Sequence, residues 1–250
     1  MPKLKNSKYP SVKKITDEKR IEMVKDIFST ITGRYDFLNH FLSFRRDIAW
    51  RRFTAKKMVF FRTNRILDIA CGTGDLAVAA CLNNHDILVT GVDFVYPMVQ
   101  AAIDKVNKQG LRERISFIQA DALKLPFREN SFDVTAMAFG IRNIPQKAEA
   151  LKEMRRVTVP GGQIMILEMT FIQSRFFKLF YYLYLNVVLP GLAKIFSRNA
   201  AAYYYLADSI MNFPSPDAFA HFMKEQGVVD VQQYRLTLGI TCLYVGKKSE

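Results

Sequence analysis

Cysteine is scarce in this sequence, and its scarcity excludes two kinds of stabilisation. The 250 residues contain three cysteines, Cys71, Cys81 and Cys242, which are too few and too unevenly spaced for a disulfide framework. None of them lies near a second cysteine or a histidine at the spacing of zinc ligands, so we expect no metal site. The pattern favours a reduced, cytoplasmic protein.

Long apolar runs are also missing. The first twenty residues have no apolar stretch of the kind that a signal peptide contains. The longest uncharged run in the most aromatic part of the chain, residues 179–193, has 15 residues and is interrupted by Asn186, Pro190 and Gly191. Because a spanning helix needs about 20 apolar residues, we expect this segment not to cross a bilayer.

Acidic residues are few, and their deficit is concentrated at the N-terminus. The formal net charge is +13, and residues 1–57 hold 15 Lys and Arg against 6 Asp and Glu. Such a basic end suits nucleic acid, an anionic membrane surface, or a solvated tail. We expect residues 1–15 to form a disordered basic tail. Nucleic acid is disfavoured as a substrate, because the sequence has no Asn/Asp-Pro-Pro-Tyr/Phe motif for an extruded base.

Strand and helix patterns alternate through the middle of the chain. Short apolar runs that end in small or acidic residues indicate buried strands, and longer amphipathic stretches between them indicate helices. This alternation predicts one doubly wound α/β domain over residues 16–250, with a mostly parallel sheet and helices at its N-terminus. Strands are predicted at residues 65–70, 87–92, 115–119, 132–138 and 163–169, and helices at residues 75–82, 97–109, 147–157 and 215–227.

A glycine-rich turn follows the first strand. Gly72-Thr73-Gly74 allows the backbone to turn tightly and to approach a ligand closely. Asp93 ends the next strand, where a carboxylate accepts hydrogen bonds from both hydroxyls of a ribose. The spacing also satisfies the dinucleotide pattern G-x-G-x-x-G/A, so the turn by itself leaves two cofactors open.

Acidic residues around the turn favour S-adenosylmethionine. Asp68 and Asp75 flank the turn, and carboxylates suit a sulfonium ligand that carries an ammonium group better than they suit a pyrophosphate. Asp121-Ala122 follows the third strand, where an acid is placed to bind an adenine amino group. Together with Asp133 at the start of the fourth strand and Pro160-Gly161-Gly162 before the fifth, these residues resemble the ordered motifs of class I methyltransferases. That resemblance implies a seven-stranded sheet.

Further motifs lie outside this core. They are Tyr35-Asp36-Phe37-Leu38-Asn39 with Leu42-Ser43 and Trp50, Phe139-Gly140-Ile141-Arg142-Asn143, and Tyr205-Leu206 with Ser209-Ile210, Phe213-Pro214 and Leu236-Thr237. Through them the sequence resembles the ubiquinone/menaquinone biosynthesis C-methyltransferases over roughly residues 20–247. The resemblance implies methyl transfer from S-adenosylmethionine to a ring carbon of a polyprenylated quinol.

The resemblance also implies roles for single residues. Arg142 and Asn143 are the expected catalytic residues that handle the quinol oxygens. An arginine is a poor base, so it would stabilise the quinolate or orient a water molecule. Tyr35 is expected to close over the cofactor or to pack its helix onto the core. The expected cofactor-binding residues are Tyr35, Asp68, Gly72, Thr73, Gly74, Asp93, Asp121, Ala122 and Ala138.

The sequence departs from the family pattern at several positions. The departures are Arg45 in place of glycine, Asp47 in place of histidine, Cys71 in place of glycine, Ala138 in place of serine and Val159 in place of lysine. None of them removes an expected acid from the cofactor site. They leave a different acceptor open, such as a sterol or a fatty-acyl compound. A further alternative is a non-catalytic role in a quinone-synthesis assembly.

An aromatic and basic segment follows the fifth strand. Residues 171–205 contain 11 of the 32 aromatic residues, four basic residues and no acid. We predict a helical insertion over residues 171–213 that covers the substrate site and receives a polyprenyl tail. Contact with an anionic membrane surface is expected there, with a core helix pair or a homodimer interface as alternatives.

Overall fold

The computed structural model of the chain describes residues 11–12, 15–171, 179, 181–188 and 201–250. Within them, one sheet forms the centre of the protein, with strand order β3-β2-β1-β4-β5-β7-β6. The strands are β1 Arg65–Ile69, β2 Leu88–Asp93, β3 Ile115–Gln119, β4 Phe132–Ala138, β5 Thr158–Met169, β6 Val228–Leu236 and β7 Thr241–Lys248. Strand β7 runs antiparallel to both of its neighbours, β5 and β6. The neighbouring strands among β1, β2, β3, β4 and β5 all pair in parallel.

Helices cover both faces of this sheet. They are α1 Asp17–Ile31, α2 Tyr35–Leu42, α3 Arg46–Lys56, α4 Asp75–Asn83, α5 Tyr96–Lys108, α6 Lys147–Val157, α7 Ala201–Met211 and α8 Pro216–Glu225. One apolar core lies between the sheet and helices α3, α4 and α5, and a second lies between the sheet and helices α6 and α8. Strand β4 is buried from Phe132 to Met137, because it lies centrally between the two. The predicted doubly wound, mostly parallel fold is confirmed.

A third apolar core lies beyond the carboxyl edge of the strands. It joins Met23 and Ile27 of α1, Leu38 of α2 and Ile210 of α7. Helix α1 begins where the Thr16 hydroxyl accepts a hydrogen bond from the Lys19 N–H at 3.4 Å, with acidic residues in its first turn. Helices from both ends of the chain thus form one layer above the site of the glycine turn.

The predicted element bounds agree with the structure to within one residue for seven of the eight elements in the first part of the chain. The exception is β5, which begins at Thr158 instead of residue 163. Pro160-Gly161-Gly162 forms an irregularity within that strand instead of a turn before it, because Phe132 pairs with Thr158 and Val134 pairs with Gln163. The helix predicted at residues 215–227 runs from Pro216 to Glu225.

Asp133 fixes the loop that precedes β1. Its buried Oδ2 atom accepts hydrogen bonds from the backbone N–H groups of residues 61–64, at 2.7 to 3.4 Å. The charged acceptor satisfies donors that no strand or helix would otherwise satisfy. This contact lies at the amino ends of the strands, far from the glycine turn.

Two predicted segments, the N-terminal tail and the insertion after β5, are described only in part. Of the predicted basic tail, residues 1–10 and 13–14 lie outside the described residues, and its disorder stays a prediction; the Ser11 hydroxyl and the Val12 N–H donate to the carboxylate of Asp208 at 3.1 and 2.8 Å. Within the predicted insertion, residues 172–178, 180 and 189–200 lie outside the described residues. Residues 181–183 are helical and continue into a π-helix at Tyr184–Val188, where Leu185 is buried. No helix in the part of the chain that the structure describes is long and apolar enough to span a membrane.

Candidate functional site

A pocket opens at the carboxyl ends of the central parallel strands, which is where ligands bind in open α/β sheets. We call it the first pocket. Residues that follow β1, β2, β3 and β4 contribute to its wall, and apolar residues of α1 complete it. These residues include Ala70, Gly72, Asp93, Phe94, Met98, Asp121, Ala122, Leu123, Ala138, Gly140, Asn143, Ile21, Val24 and Phe28.

The glycine turn depends on backbone conformations that suit glycine. Gly72 has a φ of +55° and Gly74 a φ of +83°, both in the left-handed region. A Cβ atom on Gly74 would lie 2.7 Å from the ring of Phe117, which is too close for a real contact. The turn therefore has no room for a side chain at Gly74, and Gly72 presents bare backbone to the pocket.

Asp93 ties the turn to the end of β2. Its Oδ2 atom accepts from the Gly72 N–H at 2.8 Å, and its Oδ1 atom accepts from the Val95 N–H at the same distance. Burial raises the pKa of this carboxyl group, although the backbone donors oppose that effect. Each oxygen keeps a lone pair for a further donor, so the carboxylate can bind a diol at the wall of the pocket.

The far end of the first pocket follows β3. Asp121 is exposed there, and its Oδ1 atom accepts from the Leu123 N–H at 2.9 Å. Ala122 lies beside it, and the apolar side chains of Val95, Met98 and Leu123 line the same region. An acid at the edge of an apolar slot suits a flat ring that carries an amino group.

Asp68, Thr73 and Gly74 do not line the first pocket. Asp68 lies behind the turn, where its Oδ2 atom accepts from the Ala77 N–H at 3.0 Å and so fixes the start of α4. Burial raises the pKa of Asp68 to about 8, despite the opposing charge of Arg51. These residues shape the turn, and their expected direct contact with a cofactor stays a prediction.

Lys105 is a site residue that the sequence pattern does not reveal. Its Nζ atom lies 2.6 Å from Asp36 of α2, 2.6 Å from Asp75 of α4 and 3.1 Å from the hydroxyl of Thr73. The Thr73 hydroxyl in turn donates to Asp36 at 2.5 Å. The side chain of Lys105 therefore joins the N-terminal helices to the glycine turn, and no local sequence motif reveals a contact between residues so far apart.

Tyr35 lies beside the turn at the start of α2. Its ring is 3.8 Å from the position of a Cβ atom on Gly72, and it packs edge-on against Phe28 with centroids 5.9 Å apart. Burial raises the pKa of Tyr35, against the lowering influence of Arg51. The tyrosine lines the first pocket and packs its helix, and its expected closure over a cofactor stays a prediction.

A second pocket adjoins the first and shares Tyr35 and Phe139 with it. Its wall is mainly apolar and aromatic, with two buried guanidinium groups, Arg51 and Arg142. The other lining residues are Asn39, Leu42, Ser43, Asp47, Trp50, Met169, Tyr184, Leu185, Leu206 and Ile210. This composition suits an apolar ring that bears oxygen atoms.

Arg142 and Asn143 lie on either side of the junction between the first and second pockets. Arg142 lines the second pocket, and its Nη1 atom donates to Glu168 at 2.6 Å and to the Phe139 carbonyl at 2.7 Å. Burial disfavours its charge, but Glu168 together with Tyr35 and Tyr205 favours it, and the pKa of Arg142 is raised. Asn143 lines the first pocket, and its Oδ1 atom accepts from the Tyr205 hydroxyl at 3.0 Å. Arg142 is thus a permanent, oriented cation.

One group of side chains has the composition of a metal site. Ligand atoms of His40, Asp47 and Asp75 lie within 4.8 Å of one another. However, the Arg51 Nη1 atom lies 2.6 Å from Asp47 and 3.7 Å from Asp75, and the Lys105 Nζ atom lies 2.6 Å from Asp75, so two cations already pair with the two carboxylates. The group acts as an ion-pair network that fixes α3 against α4, and the arrangement does not fit a cation.

Comparison with known proteins agrees with this geometry. The model of the ubiE/COQ5 methyltransferase family matches residues 13–248. The chain belongs to this family. The predicted family is therefore confirmed, and with it a methyltransferase fold that uses S-adenosylmethionine.

Relatives in the ubiE/COQ5 family match most of the chain. A ubiquinone/menaquinone biosynthesis C-methyltransferase UbiE from Geotalea daltonii is 42% identical over 228 residues, which cover 91% of this chain and 97% of the relative. A demethylmenaquinone methyltransferase from Bacteroides fragilis is 38% identical over 232 residues, which cover 93% and 95%.

Solved structures confirm the fold of this ubiE/COQ5 member. A possible histamine N-methyltransferase from Thermotoga maritima aligns with a TM-score of 0.61 at 19% identity, over 90% of this chain and 99% of that one. Phosphoethanolamine N-methyltransferase 2 of Haemonchus contortus, in complex with S-adenosyl-L-methionine, aligns with a TM-score of 0.59 at 17% identity, over 80% and 52%.

Proposed function

We propose that this protein transfers a methyl group from S-adenosylmethionine to a ring carbon of a polyprenylated quinol, converting demethylmenaquinol to menaquinol or acting on the corresponding benzoquinol. The observation that carries the proposal is the pair of adjoining pockets that share Tyr35 and Phe139. One has polar groups at strand ends, and the other is apolar and contains a fixed arginine. A methyl donor and an aromatic acceptor need such neighbouring sites, because transfer requires close, in-line positioning.

The residues of the first pocket fit S-adenosylmethionine. Asp93 would accept from the ribose hydroxyls, Asp121 and Ala122 would lie at the adenine, and Gly72 would offer bare backbone to the methionine part. Ala138 has no side-chain hydrogen-bonding group, so it would contribute shape alone. The bound cofactor supplies an electrophilic methyl group on sulfur.

The residues of the second pocket would hold and activate the quinol. The Arg142 guanidinium, held by Glu168, would stabilise the negative charge of a quinol oxygen that has lost its proton. That charge makes the neighbouring ring carbon nucleophilic. Asn143, oriented by Tyr205, would bind the oxygen or a water molecule at the junction. Trp50, Leu185 and Ile210 would exclude water around the ring.

The polyprenyl tail and the membrane belong to this proposal. A tail of isoprenoid units requires an apolar passage, and Tyr184, Leu185 and Leu206 at the second pocket provide its beginning. We infer that the protein contacts an anionic membrane surface peripherally in order to reach such a substrate. A homodimer that uses the segment after β5 is the alternative role for those side chains.

A turnover measurement on Arg142→Lys tests the proposal. Lysine keeps a charge near Glu168, so the buried carboxylate is not left unpaired, but it lacks the planar fork of arginine. We expect a loss of about a hundredfold or more in methylation of a reduced short-chain demethylmenaquinone, followed by mass spectrometry. The affinity for S-adenosylmethionine, measured by calorimetric titration, should stay nearly unchanged.

Two results would contradict the proposal. An equal loss of cofactor affinity in Arg142→Lys would make the residue structural. Wild-type protein that binds S-adenosylmethionine but methylates neither a naphthoquinol nor a benzoquinol would refute the acceptor class. Asn143→Ala is the companion variant, and we expect a smaller loss of turnover because it removes a neutral group.

A further inference from the structure

Three phenylalanine rings project into solvent from α2 and the turn that follows it. Phe37 is 57% exposed, Phe41 is 40% exposed and Phe44 is 78% exposed, whereas Leu38 of the same helix is buried. The rings of Phe37 and Phe41 stack with centroids 5.9 Å apart. Such a contiguous apolar surface is unusual on a protein that meets only water.

The backbone at the tip of this surface is strained. Phe44 has a φ of +51° and Arg45 a φ of +59°, in a region that bulky side chains rarely adopt. The turn is nevertheless fixed, because the Arg45 N–H donates to the His40 carbonyl at 2.7 Å and the Ser43 hydroxyl donates to Asp47 at 2.7 Å. A strained turn that holds an apolar ring in water costs stability, and such strain is typical of segments that take part in an interaction.

The surface borders the second pocket. Leu42 and Ser43, immediately before Phe44, line that pocket. The hydroxyl of Tyr184 donates to the Leu42 carbonyl at 2.5 Å, which places the segment after β5 beside the turn. Leu183 and Val187 of this segment are also exposed. Exposed apolar residues from two parts of the chain thus adjoin residues that line the second pocket.

The charge of the surface is positive. Arg45 and Arg46 are exposed beside Phe44, whereas Asp47 is buried and Asp36 is bound by Lys105. Exposed aromatic rings next to cations match the interface of a bilayer that contains anionic lipids, with the rings among the acyl chains and the guanidinium groups among the phosphates.

We propose that Phe37, Phe41, Phe44, Arg45 and Arg46 form a docking face that inserts into the surface of an anionic lipid bilayer at the mouth of the second pocket. This inference rests on the proposed function, because a quinol dissolved in the bilayer then enters the pocket without crossing water. It places the membrane contact on α2 and its turn, whose residues precede the aromatic insertion by more than a hundred positions.

Co-sedimentation of the full chain with vesicles tests the docking face. Vesicles of phosphatidylcholine with phosphatidylglycerol are compared with vesicles of phosphatidylcholine alone. We expect binding to the anionic vesicles, a loss of about tenfold or more in Phe44→Ser and a loss of about fivefold in Arg45→Gly. Phe61→Ser and Arg62→Gly are matched controls, since both residues are exposed beside Asp133 at the opposite end of the sheet, and their binding should equal that of the wild type.

Arg45→Gly also guards against misfolding as an explanation. Glycine suits the φ of +59°, so this variant should melt about 2–4 °C higher than the wild type while it binds vesicles less well. If Arg45 has a structural role instead, the melting temperature and the vesicle binding of Arg45→Gly should both fall. Equal losses in the control variants, no preference for anionic vesicles, or a dimer that Phe44→Ser converts to a monomer would each overturn the proposal.

A second assay separates the docking face from the proposed function. Phe44→Ser should methylate a short-chain, water-soluble quinol at the wild-type rate but should lose activity on a quinol embedded in anionic vesicles. Equal losses on both substrates would overturn the docking face. If the wild type binds vesicles as expected but methylates neither quinol, the docking face stands and the proposed acceptor is wrong.

Discussion

Replacing Asp68 by asparagine should make stability depend on pH in a way that reveals a protonated carboxyl group. Asp68 lies in β1, 1% exposed, with one oxygen bonded to the Ala77 N–H. Its other oxygen has no hydrogen-bond partner among the described residues. Burial raises its pKa to about 8 from an ordinary value of 3.8, and the attraction of Arg51 offsets only part of that effect. The folded protein therefore holds a proton at neutral pH that the unfolded chain releases.

The direction and size of the effect follow from proton linkage. Between about pH 4 and pH 8 the native state binds one proton more than the unfolded state at this residue, so the free energy of unfolding falls as pH rises. The slope is about 1.4 kcal/mol per pH unit. An asparagine side chain does not titrate, so the stability of Asp68→Asn relative to the wild type should rise by that amount per unit and level off above about pH 8.

Urea unfolding followed by circular dichroism at pH 5, 6 and 7 provides the measurement. The amide nitrogen of the introduced asparagine lacks a partner, and this adds a constant cost of about 1–3 kcal/mol that leaves the slope unchanged. Repeating the series at high salt controls for surface charge, since buried groups are screened much less than exposed ones. A difference between the two proteins that does not vary with pH would show that Asp68 is ionised and that burial does not dominate its pKa.

Three further variants test other parts of the structure. Lys105→Met should weaken S-adenosylmethionine binding by about five- to thirtyfold in calorimetric titration, because α2 is no longer held to the glycine turn. Turnover at saturating cofactor should change little, and an unchanged affinity would refute this role of Lys105. Gly74→Ala should lose about 1–3 kcal/mol more stability in thermal melts than Gly110→Ala, since both have a positive φ but only Gly74 faces Phe117; equal losses would mean that backbone strain alone matters. Asp133→Ala should lose about 2–3 kcal/mol of stability but keep its cofactor affinity, and a loss of that affinity would connect the two ends of the sheet.

Much of the first pocket was predictable because its residues lie at strand ends. The carboxyl ends of parallel strands meet at one edge of a sheet, so acidic or glycine residues after successive strands must converge. Asp93, Asp121 and Gly72 follow this rule and line the pocket. Asp68 breaks it, because it precedes the end of its strand and faces the start of α4 instead.

The second pocket and the ion-pair network were not predictable from local pattern. Their contacts join residues that are far apart in sequence, as in Lys105 with Asp36 and Arg142 with Glu168. Lys105 has the appearance of an ordinary cation in the last turn of a helix. Its partners depend on how the N-terminal helices pack onto the sheet, which hydrophobic periodicity does not specify. Neither Phe44 nor Arg45 favours the left-handed conformation of their turn, and the signal for it is the glycine that the family usually has in place of Arg45.

The layer of helices above the strand ends has a consequence for how enzymes with this fold can acquire specificity for a new acceptor. Residues of α2, α3 and α7 and the segment after β5 supply most of the wall of the second pocket, whereas β2 and the loop after β3 supply both acidic side chains of the first. Recognition of the acceptor and retention of the methyl donor are therefore encoded in largely separate stretches of polypeptide. Grafting α3 and α7 together from a relative should change the acceptor pocket, while the residues that line the first pocket stay untouched.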